Sequence, residues 1–212
     1  MKIRHLLIPA LIVLAACNKH DYAPDPNNTA KKDYSSFLAE TNPSFNSYTQ
    51  DGFVSWSFGV GTAQEITGYQ NASGLCDSAD PVKVALFGLT SEKDTGQTRF
   101  WLNSMPYNIT AIDSLGIAEI FSTGVKKLGS MGKNFSLTIL QNGTYYQSYD
   151  TCTNSTIEIL KTDHFFNEYG VKILRVWFKI DGQLGNPRNP SKPMVLKDGF
   201  MVANFWNFCK AY

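Results

Sequence analysis

Residues able to do chemistry are few in this chain, and they are scattered. His164 is the only histidine beyond residue 20, within Thr162-Asp163-His164-Phe165-Phe166-Asn167-Glu168. Beside Asp163 and Glu168 it could act as a general base or a metal ligand. No GxSxG elbow and no HExxH accompanies it, so the expected role is a loop residue at a strand end. Two carboxylates about 5–10 Å apart could hydrolyse a glycoside, and Asp150, Glu158 and Asp163 are the candidates. Their spacing selects no pair, which makes them solvated surface acids. The loop Cys76-Asp77-Ser78-Ala79-Asp80 offers oxygen ligands but lacks the repeated acidic spacing of a calcium loop. No catalytic residue, metal ligand or cofactor site is therefore assigned.

Aromatic side chains are the better chemical signal. An indole or phenol ring packs on the C–H face of a sugar while polar neighbours hold its hydroxyls. Trp56, Trp101, Trp177 and Trp206 all fall in predicted strands, where core packing is the commoner fate. Tyr145 and Tyr146 lie next to a turn and are the candidate ligand-contacting aromatics, with Tyr149 close behind.

The elements that must position these rings read as strands. Phe53 to Phe58 alternates apolar and small residues. Glu65 to Gln70 is its expected partner across the Gly59–Thr62 turn. Pro81–Phe87 and Thr98–Leu102 follow. Phe135–Leu140 runs into Asn142-Gly143, a strong two-residue hairpin signal, and Thr144-Tyr145-Tyr146 returns from it. Ser155–Lys161 alternates, and Val171–Ile180 is a long strand closed by Asp181-Gly182. Met194–Leu196 precedes a turn at Asp198-Gly199, and Phe200–Trp206 ends the series. Residues 112–128 carry apolar positions partly at helical spacing and predict a short helix or an irregular crossover. Ser35–Glu40 predicts one helical turn. The expected fold is all-β with at most a short helix, an antiparallel β-sandwich or a partly closed barrel.

The N-terminus carries an address. Lys2 and Arg4 precede a short apolar run, Leu6 to Leu14, and then Ala15-Ala16-Cys17. A spanning helix needs roughly 20 apolar residues, so this is the apolar region of a signal peptide. It resembles the lipobox of bacterial lipoproteins, which implies cleavage before Cys17, lipidation of Cys17 and attachment to a membrane by acyl chains alone. Residue Asn18, in place of Asp, implies the outer membrane in that group. The expected organisation is a signal peptide at 1–16, a lipid-anchored tether at 17–44 and a β-sandwich domain at 45–212.

Removal of Lys2 and Arg4 leaves 17 basic against 18 acidic residues, a net charge of −1. A near-neutral chain without a basic cluster is not built for nucleic acid. Aromatic residues at 13% and charged residues at 17% exclude a disordered chain. In an oxidising compartment Cys76, Cys152 and Cys209 can form one bridge at most. Cys76 with Cys152 is the expected pair, and Cys152 with Cys209 is the alternative.

Asp51-Gly52-Phe53-Val54-Ser55-Trp56 and the closing Lys197-Asp198-Gly199-Phe200 resemble the opening and closing strands of uncharacterised β-rich lipoproteins of Bacteroidota-type bacteria. The resemblance spans roughly residues 51–206 and implies a lipobox, a short tether and a single domain, with no catalytic residues. It also implies O-glycosylation at Ser78 and Ser114, within Asp77-Ser78-Ala79 and Asp113-Ser114-Leu115. Three functions are compatible with all this. The leading one is a non-catalytic binding or scaffolding protein of the cell envelope, its partner a glycan, a small ligand or another envelope protein. The others are a structural subunit of an outer-membrane complex and a hydrolase with an unlocated site.

Overall fold

The structure, a computed structural model, describes residues 34–66, 84–92, 97–107, 119–151 and 154–206. Within them one short helix, α1 (Ser35–Ala39), precedes eleven strands. These are β1 (Ser44–Thr49), β2 (Gly52–Ser57), β3 (Thr62–Ile66), β4 (Val84–Thr90), β5 (Arg99–Asn103) and β6 (Gly124–Lys127). There follow β7 (Ser136–Gln141), β8 (Thr144–Gln147), β9 (Thr156–Phe166), β10 (Lys172–Leu184) and β11 (Met194–Trp206). A six-stranded sheet runs β2-β1-β11-β10-β9-β6 and a five-stranded sheet runs β3-β4-β5-β7-β8. Every strand pairing in them is antiparallel.

Alternation explains why two sheets face each other. One face of each strand is apolar and must be covered. Leu174, Val176, Phe178 and Ile180 of β10 meet Phe87 of β4, Phe100 and Leu102 of β5, and Leu137 and Ile139 of β7 in one buried core. Phenylalanine rings carry much of it: Phe121 lies 5.3 Å from Phe205, nearly parallel, and 4.9 Å from Phe87. Single bridges at Phe58–Ser91, Gly61–Phe205, Leu128–Phe135 and Gln147–Gly185 tie the sheets at their rims. They are isolated contacts and not continuous ladders, so the fold is an open β-sandwich and the barrel alternative falls away.

Several expectations need correction. Strand β3 pairs with β4 and not with β2, so Gly59–Thr62 carries the chain from one sheet to the other. Within 112–128, residues 124–127 form β6 against β9; the described helical portion is Glu119–Ile120, and 111–118 lie outside the described residues. Asp181-Gly182 and Asp198-Gly199 end no strand. Pairing slips between Ile180↔Gly199 and Gly182↔Leu196, so β11 carries one extra residue there. That is a β-bulge. Asp198 takes φ +48° and its N–H donates to Asp181 Oδ1 at 2.8 Å. Gly182 takes φ +149°, and a Cβ on it would meet Ser155 backbone at 2.6 Å. The slip reverses parity: Met194 and Leu196 face the core before it, and Met201, Ala203 and Phe205 after it.

The folded body also begins earlier than residue 45. It runs from Tyr34. Phe37 packs on Phe200 at 4.6 Å, Tyr34 on the same ring at 5.8 Å, and the Trp177 indole N–H donates to Glu40 O at 2.8 Å. Residues 34–44 therefore seal the outer face of the six-stranded sheet. Beside them Lys179 bonds Asp181. Burial alone would pull the Lys179 ammonium down, but that bond and the charges of Asp181, Tyr34 and Asp198 outweigh it and raise it.

Candidate ligand-binding site

Strand β5 reads Arg99-Phe100-Trp101-Leu102-Asn103. Phe100 and Leu102 are fully buried in the core. Side chains alternate along a strand, so Arg99, Trp101 and Asn103 stand on the outer face of the five-stranded sheet. Trp101 is half-buried there. Its cross-strand partners are Gly88 on β4 and Thr138 on β7. One has no side chain and the other a short one, so little stands beside the indole on those two strands.

Tyr145 joins Trp101 on this face. It sits on β8, 45% exposed, with its ring centroid 6.2 Å from that of Trp101 and the planes 23° apart. Asn142 (φ +49°) and Gly143 (φ +74°) make the tight β7–β8 turn that places it. Tyr146, the next residue, is half-buried against the core. The two candidate tyrosines thus point to opposite faces, and Tyr146 is no part of an outer surface.

Beside Trp101 lies a hollow of about 510 Å³, within the size range of small-ligand sites. Gly59, Gly88, Ser91, Glu92, Arg99 and Trp101 are among its lining residues. Backbone bonds fix its wall. Ser91 N–H donates to Thr98 O at 2.9 Å, and Glu92 N–H donates to Ser57 O at 3.0 Å. The β2–β3 connection is thereby fastened against the end of the β4–β5 hairpin. Glu92 Oε1 lies 3.2 Å from where a Cβ on Gly59 would stand. Ser91 is only 2% exposed, and its hydroxyl has no hydrogen-bond partner. By alternation Ser91 follows Phe87 and Leu89 on the core-facing side of the chain, so only its backbone borders the hollow.

The other candidates lie elsewhere. His164 is within β9 opposite Leu174, not in a loop, and it is exposed. Glu168 is exposed in the turn that follows β9. Asp163 stands opposite Arg175 and Glu158 opposite Lys179. Five residues of strand separate the two acids by about 16 Å, too far for a hydrolytic pair. Asp150 accepts the Ser130 N–H and the Asn134 amide, each at 2.9 Å. The bond from Ser130 holds its carboxyl below the usual range, with Lys127 and Lys133 adding to the effect against burial. That is a carboxylate ordering a loop. Among the described residues no three His, Cys, Asp or Glu side chains group to hold a metal ion.

Trp56 is in the core, 5.4 Å from Phe100. Trp177 is 1% exposed beneath Lys161, whose ammonium sits 4.6 Å from its ring. Cys17, Cys76, Cys152, Cys209, Ser78, Ser114 and the loop 76–80 lie outside the described residues.

No family model, curated protein or solved structure matches the chain. The site is read from its geometry. Sequence reasoning missed Trp101, yet a signal was present: Arg99 and Asn103 lie two residues to either side, so Trp101 shares the polar face of its strand.

Proposed function

We propose that this is a lipid-anchored envelope protein that binds a glycan or small ligand on the outer face of its five-stranded sheet, without catalysis. One observation carries the reading. Trp101 stands half-buried beside a hollow of about 510 Å³, with Tyr145 nearly parallel to it. Among the described residues Glu92 is the sole carboxylate lining it, which favours binding over two-acid hydrolysis.

A thermal-shift screen over glycans and small metabolites tests this, because a ligand bound to the native state raises its melting temperature. Trp101→Ala should abolish the shift by weakening binding about tenfold or more, while melting without ligand changes little. A hit that survives Trp101→Ala at full strength puts the site elsewhere. Anchoring has its own test. Cells fed a clickable fatty acid should label the wild-type chain and not Cys17→Ser; an unlabelled wild-type product overturns the anchor.

A scaffolding role has a separate support. At the β9–β10 turn Phe166 is 69% and Tyr169 is 79% exposed. Such rings suit a protein partner. Loss of a co-purifying envelope protein in Phe166→Ser/Tyr169→Ser, with ligand shifts intact, would favour it.

A further inference from the structure

We infer that the folded body rests on a lipid bilayer through the tip of the β1–β2 hairpin, with Tyr48 and Phe53 seated among the headgroups. This rests on the chain being lipid-anchored, and it goes on to name the surface that meets the lipid.

Placement comes first. Phe45, Ser47 and Trp56 are buried toward the core, so alternation sends Tyr48 and Phe53 to the outer face of the six-stranded sheet. They stand directly opposite each other, 58% and 59% exposed, with ring centroids 5.3 Å apart and edge to face. The tip that carries them is pinned. The Gln50 amide donates to Pro193 O at 3.1 Å, and the Val195 N–H donates to Gln50 Oε1 at 2.9 Å. Exposed aromatic rings on a fixed tip suit the boundary between headgroups and acyl chains.

The point where the chain enters the body selects this end. Tyr34 packs on Phe200, and Phe200 stands opposite Asn46, two residues before Tyr48 on the same face. That is about 7 Å of strand. Residues 18–33 can reach at most about 60 Å from Cys17, so an acyl anchor and the two rings can meet one bilayer. Phe166 and Tyr169 are exposed too, but their turn lies beside the far end of β11, about 25–30 Å from Lys197. The Trp101 face belongs to the other sheet and stays open to solvent.

Charge adds little. Lys197 stands opposite Tyr48, and it is exposed at this end together with Arg188, Lys192 and Asp51. With Lys179, Asp181 and Asp198 further in, four cations meet three acids. Anionic headgroups are favoured by a small margin, and the rings carry the contact. They need not carry much. A short tether raises the effective concentration of the body at the surface to the order of millimolar, so a contact of about millimolar affinity docks it half the time.

The test uses the mature chain, 17–212, with and without Cys17→Ser, and phosphatidylcholine vesicles holding about 30% phosphatidylglycerol. The Cys17→Ser chain should sediment with them, half-bound at about 1 mM lipid, and lose about threefold in affinity between about 0.1 and 0.5 M salt. Tyr48→Ser/Phe53→Ser should weaken binding about tenfold or more at an unchanged melting temperature. Tyr48→Trp/Phe53→Trp should tighten it about threefold, and this pair decides the matter if the serine pair unfolds. Phe166→Ser/Tyr169→Ser should bind like the wild type. In the acylated chain on vesicles, hydrogen exchange should slow across residues 48–55 relative to the Cys17→Ser chain in solution. Undiminished binding of the serine pair, no gain from the tryptophan pair, or slowed exchange at the β9–β10 turn or on the Trp101 face overturns the assignment. So does a Tyr48- and Phe53-dependent dimer without vesicle binding up to about 5 mM lipid, which hands the rings to a second copy. An unlabelled Cys17 removes the anchor yet leaves the vesicle result standing, whereas a labelled Cys17 with idle rings leaves an anchored body that takes no fixed orientation.

Discussion

Replacing Phe121 with alanine should cost about 3–5 kcal/mol and lower the melting temperature by about 6–20 °C. The ring is fully buried where the two sheets meet. It packs on Phe205 at 5.3 Å with planes 8° apart, on Phe178 at 5.5 Å edge-on, on Phe87 at 4.9 Å and on Phe135 at 6.1 Å. Those partners come from both sheets, so one truncation opens a cavity that neither sheet can close alone. Native domains hold only about 5–15 kcal/mol in reserve, so a large share of the fold's stability rides on this ring. Phe121→Leu keeps most of the volume and should cost about 1.5 kcal/mol or less. Thermal melts of the two variants decide the matter. If alanine and leucine lower the midpoint equally, cavity formation is not the cause. A shift under about 2 °C for alanine removes Phe121 from its central place.

The same residue shows where local pattern stops informing. Phe121 lies on the β5–β6 connection, in a stretch whose spacing mixed helix and strand, so its burial could not be read from periodicity. Strands with clean alternation were legible: Phe53–Phe58, Phe135–Leu140 and Val171–Ile180 all form close to where their pattern places them. Asn142-Gly143 was legible because a two-residue hairpin turn is set by its own backbone. Asp181-Gly182 and Asp198-Gly199 carry the same kind of signal and form a bulge instead. The difference lies in their partners, since each dipeptide finds the other across β10 and β11. Pairing of that kind is non-local, as is the choice of β4 over β2 as partner for β3. The candidate site was half visible. Tyr145 was found because it adjoins a turn, and Tyr146 came along only because the return strand had no assigned inward face. Trp101 shares strand character with the core tryptophans, and only its polar neighbours at two-residue spacing, Arg99 and Asn103, mark it as outward.

Gly88→Val should leave the protein folded and remove ligand binding at Trp101 altogether. Gly88 lies in the middle of β4, outside the positive-φ glycines, so a β-branched residue fits its backbone. Valine is favoured in strands where glycine is not, and the free protein should melt unchanged or slightly higher. On the outer face, however, directly opposed side chains have Cβ atoms about 4.5–5.5 Å apart. The valine methyls would stand against the Trp101 indole and occupy the space a ligand ring needs. Affinity for any ligand found with the wild type should fall about a hundredfold or below detection, corresponding to about 2.7 kcal/mol or more. Gly88→Ala fills less and should lose less, about tenfold. This graded loss at constant stability separates the hollow from every other surface of the molecule. A misfolded variant would lose stability together with binding, and a ligand seated elsewhere would ignore both substitutions. Titration of Gly88→Val at wild-type affinity would remove the hollow beside Trp101 from any account of function.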